Sequence, residues 1–237
     1  MRPVWTVVSD LHLFAERSKG RGHTSQIIEA ARRSELLVLN GDIFDFDWST
    51  LGSIERTADA AEKWIRALVS ACPDCEILYL LGNHDGVRAW AERLDHLADD
   101  LPAFRWSPDY CRRGNTLFTH GDLLLGPSLQ KARDLADEVE SRAPLIGKLY
   151  AAASDIGIPR LLCACYGVRR ALRALERNLV HLDEVLTRGL ERLCFGHTHQ
   201  PFTGIALGGV KVFNTGSSIR GMRFNMLELP ADQTIAA

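Results

Sequence analysis

No stretch of this chain approaches the ~20 consecutive apolar residues that a membrane span needs, and no secretory signal is legible at its start. The first apolar run, Val4–Val8, is too short for an h-region and leads directly into Asp10 and His12. The expected location is cytoplasmic, with peripheral contact at the inner face of a membrane left open. Net charge is also nearly absent, since 28 Lys and Arg oppose 30 Asp and Glu. No overall basic field points to nucleic acid, and no nucleic-acid-binding module is evident. Cysteine is sparse and follows no paired pattern: Cys72, Cys75, Cys111, Cys163, Cys165 and Cys194 are scattered. Cys72-Pro-Asp-Cys75 has redox or zinc-knuckle spacing without a matching second pair, so it reads as a helix-to-strand turn and the six as reduced thiols. Internal repeats and low-complexity tracts are missing too, which excludes solenoids and long linkers.

What is present fits one globular α/β domain over residues 1–237, with 46% hydrophobic and 24% charged residues. Short apolar runs alternate with amphipathic stretches. Trp5–Ser9, Leu36–Asn40 and Ile77–Leu81 read as strands. Helices are expected from about Ser25 to Arg33, from Ser53 as N-cap through Ile54, Ala58, Ala61, Ile65 and Leu68, and from Arg88 to Leu97. Such alternation implies parallel strands whose C-terminal ends share one edge, where ligands bind in open sheets. From Tyr110 onward short strands recur at Thr116–Thr119, Leu193–Phe195, Phe202–Leu207 and Val210–Asn214, which predicts a second, partly antiparallel sheet. Between them, about 127–190 is helical in pattern. Leu129, Ala132, Leu135, Ala136 and Val139 form one stripe, and Leu161, Leu162, Cys165, Val168, Leu172 and Leu175 another. This region is expected to be an inserted helical cap, the alternative being that it covers the sheet as ordinary core.

Five polar motifs each follow an apolar strand-like run. Asp10 and His12 in Ser9-Asp10-Leu11-His12-Leu13 would point to one side of an extended segment, because side-chain direction repeats every two residues. Gly41-Asp42-Ile43-Phe44-Asp45 follows Leu36–Asn40. Glycine allows a sharp turn there, Asp42 can bridge two cations with its two oxygens, and Asp45 would orient neighbours. In Gly82-Asn83-His84-Asp85, the Asn83 amide oxygen is a neutral hard ligand. His84 is free to protonate a leaving oxygen, and Asp85 is positioned to hold the His84 ring. His120-Gly121-Asp122 and Gly196-His197-Thr198-His199 complete the set, with His197 and His199 on one side. Each motif alone would pass for a turn. Their fivefold recurrence at strand ends points to one metal centre.

A mixed nitrogen and oxygen donor set without thiolates suits manganese, iron or zinc. Two such ions about 3.5–4 Å apart stabilise attacking and leaving oxygens of an in-line displacement. Phosphate esters, among the slowest bonds to hydrolyse unaided, need that help.

These motifs resemble the calcineurin-like metallophosphoesterase superfamily, with its D-x-H, G-D-x-x-D, G-N-H-[DE], H and G-H-x-H pattern, here from Asp10 to His199. Asn214-Thr215-Gly216-Ser217 is also similar to a strand end of that superfamily. The resemblance implies a two-sheet sandwich flanked by helices. It implies one metal on Asp10, His12, Asp42 and His199, with Asp42 bridging to a second on Asn83, His120 and His197. His84 would be the acid, paired with Asp85. Within the superfamily, Ser-Asp-Leu-His-Leu, Gly-Asp-Ile-Phe-Asp-Phe, His-Gly-Asp and Gly-His-Thr-His-Gln-Pro look most like the UDP-2,3-diacylglucosamine hydrolases of lipid A synthesis. Those enzymes split a pyrophosphate into UMP and a lipid phosphate beneath a helical insertion. The best-known branch has Asn-Arg-Asp where this chain has Asn83-His84-Asp85.

The expected substrate is thus a phosphorylated lipid or small molecule. A phosphodiesterase or phosphatase for soluble nucleotides is the alternative. A metal-free scaffold would have shed ligands, and this chain retains every one. Arg160, Arg169, Arg170, Arg173 and Arg177 crowd one helical region. They would grip a diphosphate or an anionic membrane, or be balanced by Asp134, Asp137, Glu138 and Glu140.

Overall fold

The computed structural model of the protein describes residues 4–126, 132–137, 144–155, 158, 161 and 167–231. Two five-stranded sheets face each other, with helices on both outer surfaces. The first contains β1 (Val4–Val8), β2 (Leu36–Asn40), β3 (Glu76–Leu80) and β4 (Phe104–Ser107), all parallel, with β10 (Leu227–Pro230) antiparallel beside β1. The second runs β5 (Tyr110–Arg113), β6 (Thr116–Thr119), β7 (Arg192–Phe195), β9 (Val210–Asn214), β8 (Phe202–Leu207). Its inner strands β6, β7 and β9 are parallel, and its two edge strands antiparallel.

Alternation along each strand builds the layers. Trp5, Val7, Leu36, Val38, Leu78 and Leu80 face Phe118, Cys194 and Phe213 of the other sheet. The opposite faces of β1–β3, through Val8, Leu37, Leu39, Ile77 and Tyr79, meet the buried stripes of α1 (Thr24–Ala31), α2 (Ile54–Ala71) and α3 (Arg88–Asp100). The Ser53 side chain caps α2 by accepting from the Arg56 amide at 3.2 Å, a bond whose loss costs about 1 kcal/mol. The expected α/β sandwich of two sheets between helices is the observed architecture.

The region expected as a cap is more varied. Pro127, Leu129, Glu138, Val139, Glu140, Arg160, Leu162, Cys163 and Cys165 lie outside the described residues. Around Leu135 the chain is extended rather than helical: Ala136 forms a parallel bridge with Val87, bonded through Ala136 N–H to Gly86 C=O and Arg88 N–H to Ala136 C=O. The short α4 (Asp122–Leu125) and α6 (Val168–Leu179) cover the second sheet, with Leu124 and Leu175 among Leu117, Leu193, Phe195 and Val212. Leu161, expected on the same apolar stripe as Leu175, is 64% exposed. Further helices among the described residues are α5 (Pro144–Asp155) and α7 (Glu184–Thr187). Cys72 ends α2 just before β3, and Cys72, Cys75, Cys111 and Cys194 are free thiols, as the turn reading required. Among the described residues, no helix is long and apolar enough to cross a membrane.

Candidate metal centre

The five motifs emerge at the C-terminal ends of β1, β2 and β3 in one sheet and β6 and β7 in the other, so the two sheets deliver them to one place. Asp10, His12 and His199 bring ligand atoms within 4.8 Å of one another, as do Asp10, Asp42 and His120, and His12, Asp42 and His84. The His197 ring stands beside that of His120, with centroids 5.4 Å apart, and Asn83 joins through its side-chain oxygen, 2.8 Å from His197 Nδ1. Every nominated residue except Asp85 therefore faces the cluster.

The route to that convergence differs from the extended-segment expectation. Asp10 (φ 53°), His12 (49°), Asp42 (53°), His197 (63°) and His199 (56°) all take the left-handed region, at about 1–2 kcal/mol each for a residue with a Cβ. Side chains two apart still share a side, but through alternating left-handed turns rather than a strand. Backbone bonds hold these turns: Asp10 N–H to Gly41 C=O (3.0 Å), His12 N–H to Asp42 C=O (2.9 Å) and Ser218 N–H to Asp10 C=O (3.0 Å). The His197 N–H also donates to the Asp10 carboxylate at 3.1 Å. Gly41 makes the turn expected of it at φ 83°. Gly82 is needed for closeness, because a Cβ there would strike the Asp42 carboxylate.

Asp42 sits at the middle. One oxygen accepts the His84 N–H at 2.8 Å. The other lies 3.2 Å from His120 Nε2 and 3.9 Å from His12 Nε2. Burial opposes its charge, yet His120 and His84 hold its pKa well below the carboxylate range. Burial also opposes a charged His120, but Asp42 pushes its pKa up to about 10. Burial and the nearby His120 push His197 down to about 4, and burial keeps His12 below its ordinary value.

These atoms suit cations. His120 Nδ1 lies 3.2 Å from the Asn40 carbonyl, and its Nε2, wholly buried, has no hydrogen-bond partner despite the adjacent carboxylate. His12 Nδ1 is 3.2 Å from Asp45, which leaves Nε2 facing inward, 3.3 Å from His199 Nε2. Imidazoles tied at one nitrogen, with the other turned toward buried carboxylates, are the arrangement of metal-ligating histidines.

One pairing differs from expectation. Asp85 does not hold His84: it accepts from Tyr79 OH (2.6 Å), Ile43 N–H (3.0 Å) and Gly82 N–H (2.5 Å), fully buried beneath the loop. Burial and the Asp42 charge raise its pKa to about 6. Three short donors close at hand outcompeted the ring. His84 Nδ1 instead lies 3.3 Å from Asp45 and 3.2 Å from Asp47. Asp45 orients neighbours as expected, also reaching Arg17 at 2.7 Å. Burial disfavours a charged His84, but Asp42 and Asp45 hold its pKa well above the ordinary value.

Sequence reasoning missed Asp47, Arg17 and Asn40, and noted the Asn214 strand end without giving it a role. Asn40 donates to the Thr119 and Cys194 carbonyls, tying β2 to the opposite sheet. Asn214 donates to the Gly196 carbonyl (2.8 Å) and Thr198 Oγ1 (3.1 Å), fixing the His197–His199 turn. A polar residue ending an otherwise apolar strand was the available signal.

A two-sheet sandwich carrying this cluster of Asp, Asn and His at its strand ends defines a metal-dependent phosphoesterase. The chain belongs to the calcineurin-like phosphoesterase family, whose model matches residues 5–201. Among solved structures it is similar to the crystal structure of a dimetal phosphatase from Danio rerio, at 12% identity and a TM-score of 0.50, over 98% of this chain and 93% of that one. That likeness concerns the fold. Comparison with curated proteins finds no match.

Proposed function

We propose that the chain hydrolyses phosphoester or phosphoanhydride bonds with two divalent cations, manganese first among manganese, iron and zinc. Asp10, His12, Asp42 and His199 would hold one ion, and Asp42, Asn83, His120 and His197 the other. The central position of Asp42, with an oxygen turned to His120 and to His12, carries this reading. When bound, the cations supply Lewis-acid stabilisation of phosphoryl oxygens and a nucleophile at neutral pH.

The protein's own share falls to His84. Its amide is tied to Asp42 and its Nδ1 sits against Asp45 and Asp47. Nε2 is thereby left to donate a proton to the leaving oxygen, and a pKa held above the ordinary value keeps that proton in place near neutral pH. General acids of this kind contribute typically ~10²–10⁴ in rate.

For the substrate, the four-motif resemblance supports the pyrophosphate of UDP-2,3-diacylglucosamine, giving UMP and a lipid phosphate. His84 at the position where the best-known branch carries Arg supports a second reading, a phosphodiester or phosphomonoester of a soluble nucleotide. The experiment is a panel with the manganese-loaded protein: UDP-2,3-diacylglucosamine, bis-p-nitrophenyl phosphate and alkyl phosphodiesters. UMP release supports the first reading, and turnover of diesters alone supports the second. His84→Ala should lose about 10²–10⁴ on alkyl esters and far less on p-nitrophenyl esters, whose leaving oxygen needs no proton. Equal losses on both would remove His84 from that role.

The lipid reading brings a surface with it. Arg169, Arg173 and Arg177 line the exposed side of α6, opposite buried Ala171, Ala174 and Leu175. Asp137, expected as their counter-charge, instead pairs with Arg88. An anionic membrane surface is the partner we assign to that face.

A further inference from the structure

Arg133 belongs to none of the motifs, yet it is the residue on which two of them meet. Its side chain is 5% exposed. The guanidinium donates Nη1–H to Asp122 Oδ2 (2.6 Å) and Nη2–H to Asp122 Oδ1 (2.9 Å), a bidentate clasp on the residue two positions beyond His120. The same Nη2 donates to the Leu81 carbonyl (3.0 Å), immediately before Gly82-Asn83-His84. Nε donates to the Pro108 carbonyl (3.0 Å), and the Arg133 amide donates to Asp109 Oδ1 (2.9 Å). Three residues further on, Ala136 N–H bonds Gly86 C=O (3.0 Å), and Arg88 N–H bonds Ala136 C=O (2.9 Å). The extended segment of residues 133–137 thus grips the Asn83–His84 loop on both flanks, from Leu81 and from Gly86.

A planar fork makes such a junction where a lysine could not, because it satisfies a carboxylate and a carbonyl at fixed angles together. The two loops it joins each supply a nominated ligand of the same cation, Asn83 from one and His120 from the other. Among the described residues, Asp10, His12 and His199 share no hydrogen bond or ion pair with Asp122, Leu81, Pro108 or Asp109.

We propose that Arg133 is a positioning residue for the second metal site: it sets the spacing between the Asn83 and His120 loops, and so governs affinity for one cation of the two. The proposal rests on the ligand assignment above.

The test is calorimetric titration of the metal-stripped full chain with manganese. Wild type should take two ions. If it takes fewer, the ligand assignment fails before Arg133 is judged. Arg133→Met should leave the first ion within about twofold and weaken the second at least about tenfold. Arg133→Lys, able to reach Asp122 or Leu81 but not both, should fall between. A purely structural arginine would lower the melting temperature while leaving both affinities unchanged, and that result overturns the proposal. Should neither Arg133 variant fold, Asp122→Asn decides by the same titration: selective weakening of the second ion supports the proposal, and two wild-type affinities overturn it.

Discussion

The Nε2 atoms of His12 and His199 stand 3.3 Å apart, with Asp10 Oδ1 3.2 Å from the second and 4.0 Å from the first. Two ring nitrogens and a carboxylate oxygen at such spacing can share a ring proton, and with that proton gone they present three donor atoms to one cation. Manganese at about a hundred times its dissociation constant should therefore stabilise the fold by roughly 2.7 kcal/mol per site. For a chain of this size that is a rise in melting temperature of about 5–10 °C per site, reversed by a chelator. A melting curve indifferent to manganese, zinc and iron would remove the metal centre.

Asp42→Asn is the most informative single change. Asparagine tolerates the left-handed backbone at this position and can still accept the His84 amide, so the loop keeps its shape. It removes the negative charge shared between both ion positions. Each cation contributes several kcal/mol at about 1.4 kcal/mol per tenfold, so kcat/KM should fall at least about a thousandfold. Calorimetry should show both ions weakened, whereas His199→Asn should weaken one. Two ions bound normally by Asp42→Asn would refute its bridging position.

Ion uptake should be coupled to protons. The His120 pKa is pushed up to about 10 by Asp42, against burial. Below that pH the ring carries a proton that must leave before Nε2 can bind a cation. Affinity for the His120-held ion should then rise about tenfold per pH unit through neutrality and level off near pH 10. Titration at pH 7 in two buffers of different ionisation enthalpy should reveal about one proton released by this site. Heats independent of the buffer would show that His120 is neutral beforehand.

The α6 arginines predict cosedimentation of the full chain with vesicles containing phosphatidylglycerol, but not with phosphatidylcholine alone. At about 1 kcal/mol per basic residue near such a surface, reversing Arg169, Arg173 and Arg177 to Glu should reduce binding at least about a hundredfold. Turnover of a soluble ester should be unchanged. Equal binding by the reversed protein, or binding of wild type to single-stranded DNA but not vesicles, would reject the membrane surface.

The sequence was most readable where chemistry and secondary structure coincide. An apolar run followed by Asp10, Asp42, Asn83, His120 or His197 announces a strand and what its end carries. Their side chains do converge on one place in the fold. Three things were hidden. The left-handed backbone at Asp10 and His12 has no signature in an Asp-x-His spelling, which suits an extended chain equally well. Asp85 lost the His84 ring to Asp45 and Asp47 because Tyr79, Ile43 and Gly82 bring donors to its carboxylate, and only the folded loop shows that competition. Around Leu135, helical spacing of apolar residues proved compatible with an extended bridge to Val87, where the Arg133 and Ala136 amides go to Asp109 and Gly86 instead of to a helix's own carbonyls.

The left-handed turns limit what these positions can become. A β-branched residue at 10, 12, 42, 197 or 199 would suffer a backbone penalty before any loss of chemistry is felt, while asparagine or glycine would escape most of it. Variation there is filtered twice, first by the shape of the main chain and then by the donor atom. A random library at these five sites should return folded but inert proteins rich in Asn and Gly, and few with Val, Ile or Thr.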